Sequence, residues 1–168
     1  QIKGLNLEEL TQICEKNNFS LFRAKQLYHW MYRHGVSDIA LMNNIPNDMS
    51  NYLSREYQFK TLEIENIQTS SSEDTKKILF RTHDNKLIES VSMIDNNLHT
   101  ICISSQVGCS VDCKFCATGE MGFLRNLTCG EIIDQFIEIT NMREEPITNV
   151  VYMGMGEPFL NYNQVIKS

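Results

Sequence analysis

The sequence has no apolar run that approaches the roughly 20 residues needed to cross a bilayer. Its first ten residues, QIKGLNLEEL, lack the apolar core of a signal peptide. It has no internal repeat and no long low-complexity segment. The whole chain is 42% hydrophobic and 21% charged, which is the composition of an ordinary globular protein. We therefore expect a soluble, cytoplasmic protein with no membrane partner.

Positive charge is also scarce, because 15 Lys and Arg residues face 21 Asp and Glu residues and give a net charge of -6. This balance counts against a nucleic-acid partner, since affinity for phosphate comes largely from Lys and Arg. Residues 1–60 nevertheless hold seven basic against six acidic side chains and are near neutral. Any RNA-binding surface must therefore be local, or lie outside this chain.

The chain has six cysteines and no secretion signal, which argues against a disulfide framework. Thiols kept reduced are available for metal binding or for chemistry. The spacing of the cysteines must decide between these uses.

The first third of the chain predicts helices over 7–17, 20–34, 38–44 and 48–57, separated by turn signals at Asn17-Asn18, Gly35 and Pro46. In the second of these helices, apolar side chains recur at helical spacing on one face. The opposite arc carries Arg23, Lys25, Gln26, His29 and Arg33, with Trp30 at its edge. Such an arc is either a solvated face or a helix that contacts RNA.

From residue 62 to 104 the pattern changes to short β-type runs, LEIENIQT, KKILFRT, KLIESVSMI and HTICIS, with turn signals at Asp84-Asn85 and Asp95-Asn96-Asn97. These predict antiparallel hairpins. The strand TICIS, a helix beginning near Thr128 and the strand NVVYMG then form a strand–helix–strand unit with parallel strands. Thr128 and Glu131 make a capping box at the start of that helix. The predicted fold class is α/β.

The most informative segment is GCSVDCKFCATG, which holds Cys109, Cys113 and Cys116 in a C-x3-C-x2-C array directly after a strand. Three soft thiolates in one loop favour a soft metal centre. A four-iron four-sulfur cluster usually takes four cysteines, so three would leave one iron open to another ligand. Two alternatives stay open: structural zinc, which needs a fourth protein ligand, and plain buried cysteines.

The array resembles the signature of the radical S-adenosylmethionine (SAM) superfamily, including the aromatic Phe115 before the last cysteine. A second motif, Gly154-Met155-Gly156-Glu157-Pro158, ends the strand NVVYMG, where α/β folds bind their ligands. It resembles the superfamily's GGE-type motif. Across SSQVGCSVDCKFCATGEMGFLRNLT, EIIDQ and NVVYMGMGEPFLN, and through the N-terminal helices, the chain is similar to the RlmN family of RNA adenine C2-methyltransferases.

This resemblance implies a 4Fe-4S cluster on Cys109, Cys113 and Cys116, and SAM bound beside Phe115, Gly156 and Glu157. It also implies cleavage of SAM to a deoxyadenosyl radical, with the protein supplying orientation and exclusion of water. The methyl group passes through a cysteine that then joins enzyme and RNA covalently. By the same resemblance, the products are C2-methylated adenosines in 23S ribosomal RNA and in tRNA.

Release of the product requires a base and a resolving thiol, and the motif match assigns these roles to Glu89 and Cys102. Without the resemblance, Glu89 is a solvent-facing strand residue and Cys102 a small buried side chain. Cfr-type enzymes, which methylate carbon 8, share the cluster loop and are the close alternative. A non-enzymatic iron-sulfur or zinc RNA-binding module is the other.

The resemblance divides the chain into a helical accessory domain over residues 1–60, a β-hairpin connection over 61–98 and the first part of a radical SAM core over 99–168. That first part is the start of a (βα)6 partial barrel, whose remaining strand–helix units and methyl-carrying cysteine would lie beyond Ser168. We therefore expect a fragment that is inactive alone. The whole enzyme is expected to be a monomer that takes electrons from a donor such as flavodoxin or ferredoxin.

Overall fold

The computed structural model describes residues 1–111 and 113–168. The chain divides into two compact units, Gln1–Thr61 and Leu62–Ser168. Each unit has its own hydrophobic core and is described here by itself.

The first unit is helical. It contains α1 (Leu7–Lys16), α2 (Phe22–Tyr28), a π-helical turn (His29–Arg33), a 3-10 turn (Ile39–Leu41) and α3 (Asn47–Glu56). A capping box fixes the start of α1, because the Glu9 N–H donates to Asn6 Oδ1 (2.9 Å) and the Asn6 N–H donates to Glu9 Oε2 (2.7 Å). The apolar faces of the helices meet in one core that includes Leu10, Ala24, Leu27, Met31, Met49 and Leu53.

Two helix predictions for this unit need correction. The helix predicted over 38–44 is only the 3-10 turn Ile39–Leu41, started by Asp38, whose carboxylate accepts from the Ala40 N–H. The helix predicted over 20–34 is an α-helix only to Tyr28 and continues as a π-helical turn. Ala24, Leu27 and Met31 face the core as predicted, whereas Leu21 and Tyr28 are exposed.

The second unit is built on a five-stranded sheet, and the prediction of an α/β fold is confirmed. Its strands are β1 (Leu62–Thr69), β2 (Thr75–Thr82), β3 (Leu87–Asp95), β4 (Leu98–Cys102) and β7 (Asn149–Val151), in the order β1-β2-β3-β4-β7. The first three pairs are antiparallel hairpins, with Asn85 and Asn96 in the left-handed conformation at two of the turns. β4 and β7 are parallel, with Cys102 opposite Val151.

Among the described residues, a small second sheet and two helices lie between β4 and β7. These elements are β5 (Gln106–Gly108), α4 (Ala117–Glu120), β6 (Phe123–Asn126) and α5 (Cys129–Asn141), where β5 and β6 pair antiparallel. A 3-10 turn (Pro158–Asn161) and α6 (Tyr162–Lys167) follow β7. The predicted β4–α5–β7 unit and the capping box of Thr128 and Glu131 are both present.

The hairpin strands and the β4–α5–β7 unit share one sheet and one core. The division between a connection over 61–98 and a core over 99–168 therefore stays a prediction. Among the described residues, no helix is long and apolar enough to span a membrane.

The two faces of the sheet differ. Successive side chains in a strand point to opposite faces, and one face buries Ile88, Ser90, Ser92 and Ile101 in the core that includes Ile132 and Ile139 of α5. The other face carries Lys77, Glu89, Val91 and Cys102, which are only partly buried. We call this second surface the open face.

Candidate cofactor-binding site

The three predicted cluster ligands lie in the loop between β5 and β6. Cys109 directly follows β5, and Cys116 is the N-cap residue of α4. The Cys109 N–H donates to the Gly122 carbonyl (3.2 Å), and the Cys116 N–H donates to the Cys113 carbonyl (3.0 Å). Cys113 is exposed and the other two are half-buried, so all three thiols can be reached from outside.

A glycine closes the base of this loop. Gly108, the last residue of β5, has a φ of +74°, and a Cβ there would collide with the Gly122 carbonyl oxygen. Only glycine combines this backbone conformation with so close an approach. The two ends of the cysteine loop are therefore held together by close backbone contacts.

The Cys116 thiol differs from the thiols of Cys102 and Cys14 in its pKa. Backbone hydrogen bonds from Gly119 and Thr118 at the start of α4 lower the pKa of the Cys116 thiol. Burial raises the pKa of Cys102 and of Cys14 instead. Because the thiolate is the form that binds metal, Cys116 is the better prepared ligand.

The sulfur positions bear on the choice of metal. Zinc–thiolate bonds of about 2.3 Å in a tetrahedron place sulfur atoms about 3.8 Å apart. Among the described residues, the one group of three or more potential ligand atoms within 4.8 Å of one another is His83, Asp84 and Glu131, not the three cysteines. Three thiolates are the donor set of a soft metal centre.

The residue predicted to lie beside the cofactor, Phe115, has 94% of its surface exposed. An aromatic ring that contacts so little of its own chain is available for a ligand or for another segment of protein. Phe115 lies between Cys113 and Cys116 and is therefore part of the cysteine loop itself.

The glycine-rich segment after β7 packs against the strand that leads into the cysteine loop. Gly156 has a φ of +96°, and a Cβ there would collide with the Gln106 side chain. The Glu157 N–H donates to Gln106 Oε1 (2.9 Å), and the Glu157 carboxylate accepts from the Phe159 N–H (3.1 Å). Gln106 belongs to β5, three residues before Cys109, so the two motifs share one support.

A buried polar network lies beneath both motifs. Gln135 of α5 accepts from the Ser104 N–H (2.7 Å) and donates to the Ser104 carbonyl (3.0 Å), while Ser90 also donates to it (2.7 Å). The Ser104 hydroxyl accepts from the Met155 N–H (2.8 Å) and donates to the Glu89 carbonyl (2.6 Å). This network joins the glycine-rich segment, α5 and the strand that carries Glu89.

Glu89 and Cys102 occupy the same face of the sheet. Cys102 pairs with Val91, and Glu89 lies two residues from Val91 on β3. They are therefore diagonal neighbours on the open face, a relation that typically separates Cα atoms by about 7–8 Å. Glu89 is partly exposed and pairs with Lys77, with 3.0 Å between Oε1 and Nζ. Among the described residues, no cysteine forms a disulfide.

A second, charged network fixes the far end of the cysteine loop. Arg125 of β6 binds the Asp84 carboxylate through Nε and one terminal nitrogen (2.9 and 2.7 Å). Its terminal nitrogens also bind both oxygens of Glu131 (each 2.8 Å), which is fully buried. Arg125 therefore occupies the carboxylates of the His83, Asp84 and Glu131 group and compensates their charge.

Sequence reasoning missed the roles of Gln135, Ser104 and Gln106 as supports. A signal existed for one of them, because Gln135 is a polar residue on the apolar face of a predicted helix. Ser104 and Gln106 offered none, since their partners lie 31 and 51 residues away in sequence.

Comparisons with known proteins agree with this architecture. A crystal structure of a radical SAM methyltransferase from Sphaerobacter thermophilus matches with a TM-score of 0.93 and 38% identity, covering 98% of this chain and 49% of that one. The fold is thus that of radical SAM methyltransferases. Residues 1–58 match the family model of the ribosomal RNA large subunit methyltransferase N-terminal domain, RlmN_N.

Curated relatives give the family. The probable dual-specificity RNA methyltransferase RlmN of Chloroherpeton thalassium is 44% identical over 98% of this chain and 47% of its own length. The corresponding protein of Clostridium botulinum strain Alaska E43 is 45% identical over 99% of this chain and 48% of its own. The chain belongs to the RlmN family and spans about half the length of the curated relatives it matches.

Proposed function

We propose that the protein containing this chain is a radical SAM methyltransferase that adds a methyl group to C2 of adenosine in 23S ribosomal RNA and in tRNA. The observation that carries the proposal is the placement of the three-cysteine loop and the glycine-rich segment on one support, Gln106 of β5. The names of the RlmN relatives supply the RNA substrate class.

The residues present fit the implied cofactors. Cys109, Cys113 and Cys116 would hold a 4Fe-4S cluster, because all three thiols are accessible and the pKa of Cys116 is lowered. The backbone at Gly156 and the carboxylate of Glu157 would hold the amino group of SAM, with Phe115 alongside. When bound, these cofactors supply the one-electron chemistry and the methyl group.

Two residues of this chain would act on the RNA product. Glu89, on the open face, would accept the proton that leaves the adenine ring. The Cys102 thiolate would attack the sulfur of the methyl-carrying cysteine that we expect outside this chain, forming a disulfide as the carbon–sulfur bond to the product breaks. The electron pair of that bond would stay with the product carbon, which takes a proton and becomes the methyl group. Their position as diagonal neighbours supports a shared role.

The proposal extends to the partners. The full protein would act as a monomer in the cytoplasm, where thiols stay reduced. A small electron-transfer protein such as flavodoxin or ferredoxin would supply electrons.

The test is mass spectrometry of nucleosides from ribosomal RNA and tRNA, with chromatographic separation of methyladenosine isomers, in cells with and without the full-length gene. We expect 2-methyladenosine to disappear from both RNAs and to return with the wild-type gene but not with Cys102→Ala. Loss of 8-methyladenosine would instead assign the protein to the Cfr-type group. No change in either isomer would favour a non-enzymatic RNA-binding module.

A further inference from the structure

The first unit contains a groove that the proposed reaction does not use. It has a volume of about 440 Å³ and is lined by Lys25, Gln26, His29, Trp30, His34 and Asn44. This volume lies within the roughly 300–1,000 Å³ of pockets that bind small molecules. It is large enough for one nucleotide.

The aromatic side chains of the groove are held in place. The Trp30 indole N–H donates to Asn44 Oδ1 (2.6 Å), and its ring lies 5.0 Å from the ring of His34. The rings of His34 and His29 lie 4.6 Å apart, edge to face. Trp30 is only half-buried, so part of a fixed aromatic surface faces the groove.

An irregular backbone produces this arrangement. The helix changes to a π-helical turn at His29–Arg33, and the His34 N–H donates to the His29 carbonyl (3.1 Å). This wider turn brings two side chains five residues apart to one side. Single π-turns inside helices are rare and are found frequently at functional sites.

The charge of the groove suits an anion. Lys25 is exposed and makes no ion pair with any described residue, and the lining set contains no carboxylate. Arg23 serves a different purpose, because its guanidinium braces the rim through Gln26 Oε1 and the Asn44 carbonyl (each 2.7 Å). Residues 1–60 carry seven basic and six acidic side chains, whereas the rest of the chain carries eight and fifteen.

We infer that this groove binds one nucleotide of single-stranded RNA, with the base stacked on Trp30 and the adjoining phosphate beside Lys25. An aromatic surface next to a cation is the combination that single-stranded nucleic acid requires. A lysine without an ion pair among the described residues and the absence of carboxylates from the lining suit a phosphate group, so RNA is favoured over a protein partner. The inference rests on the proposed function, because it assumes an RNA substrate.

The test compares variants of the full-length protein in binding a fluorescent single-stranded RNA oligonucleotide over a range of salt concentrations. Lys25→Gln should weaken binding and lower the slope of log affinity against log salt by about 1. Lys16→Gln, an equal charge change on an exposed residue outside the groove, should leave the slope unaltered.

Trp30 is tested by two substitutions, since removal of a half-buried ring can also disturb folding. Trp30→Leu should weaken binding by roughly 5- to 150-fold, the range expected for loss of one base stack. Trp30→Phe keeps an aromatic ring and should therefore retain most of the RNA affinity. Circular dichroism and the SAM-dependent spectrum of the cluster should be unaltered in both.

The outcomes separate this inference from the proposed function. If Lys25→Gln and Trp30→Leu leave RNA affinity and its salt dependence unaltered, the groove does not bind RNA, even if the enzyme makes 2-methyladenosine. If both variants weaken RNA binding while the wild-type protein forms no methyladenosine, RNA binding by the groove is supported and the proposed reaction is contradicted.

Discussion

The cysteine loop and the framework beneath it are built in opposite ways. The framework is buried, and its polar groups bind one another: Gln135 holds both backbone groups of Ser104, and Arg125 holds two carboxylates. The loop exposes Cys113 and almost the whole of Phe115. The chain therefore fixes the support through its own contacts and leaves the surface of the cysteine loop exposed.

This difference has an energetic consequence. A buried polar atom without a partner costs about 1–3 kcal/mol, and more if it is charged. Substitutions in the framework should therefore act on stability. Exposed side chains contribute little to stability, so substitutions in the loop should act on ligand binding.

The largest effect is expected from Arg125→Leu, which leaves the fully buried carboxylate of Glu131 without its cation. Breaking a buried ion pair costs about 3–5 kcal/mol. We expect the free energy of unfolding to fall by about 3 kcal/mol, the lower end of this range, because Arg125 and Asp84 keep 26% and 35% of their side chains exposed. The free energy of unfolding of the cluster-free protein in urea measures the effect.

Arg81→Leu provides the matched control. Arg81 also binds a carboxylate through two nitrogens, with 2.9 and 2.6 Å to Glu65, but the Glu65 side chain is 40% exposed. Exposed pairs contribute about 0–1 kcal/mol. Equal losses in the two variants would contradict the distinction between a buried framework and an exposed surface.

A smaller effect is expected from Asp84→Asn, and it should depend on pH. The hydrogen bond from Arg125 holds the pKa of the Asp84 carboxyl well below its usual range. A lowered pKa stabilises the fold above the unfolded value near 3.9, and this contribution is lost as pH falls towards the folded value. The difference in melting temperature between wild type and Asp84→Asn should be constant from about pH 7 to 5 and shrink below about pH 4. A difference that widens in acid would contradict the assignment.

The parts of the fold that follow from local spacing could be predicted from sequence. The capping box of Thr128 and Glu131 lies within four residues, and the hairpin turns at Asn85 and Asn96 need only their own side chains. Parallel pairing of β4 and β7 followed from the helix between them. The cysteine array could also be recognised from the sequence, because its three cysteines lie within eight positions, and its role as a cluster site stays a prediction.

The remaining features depend on contacts that local patterns do not contain. The helix predicted over 38–44 stopped after one 3-10 turn, with Pro46 close behind it. β5 is three residues long and is defined only by its pairing with β6, across the cysteine loop. The Arg125 network joins positions 84, 125 and 131, so its carboxylates appear in the sequence as unrelated acids.

The most direct test of the account is electron paramagnetic resonance of the reduced cluster in the full-length protein, with and without SAM. We predict a cluster whose spectrum changes when SAM is added. Cys113→Ala should lose the iron and sulfide, while its cluster-free unfolding free energy stays within about 0.5 kcal/mol of wild type, because this side chain is exposed. A spectrum that SAM leaves unaltered, or normal cluster content in Cys113→Ala, would contradict the assignment of this loop.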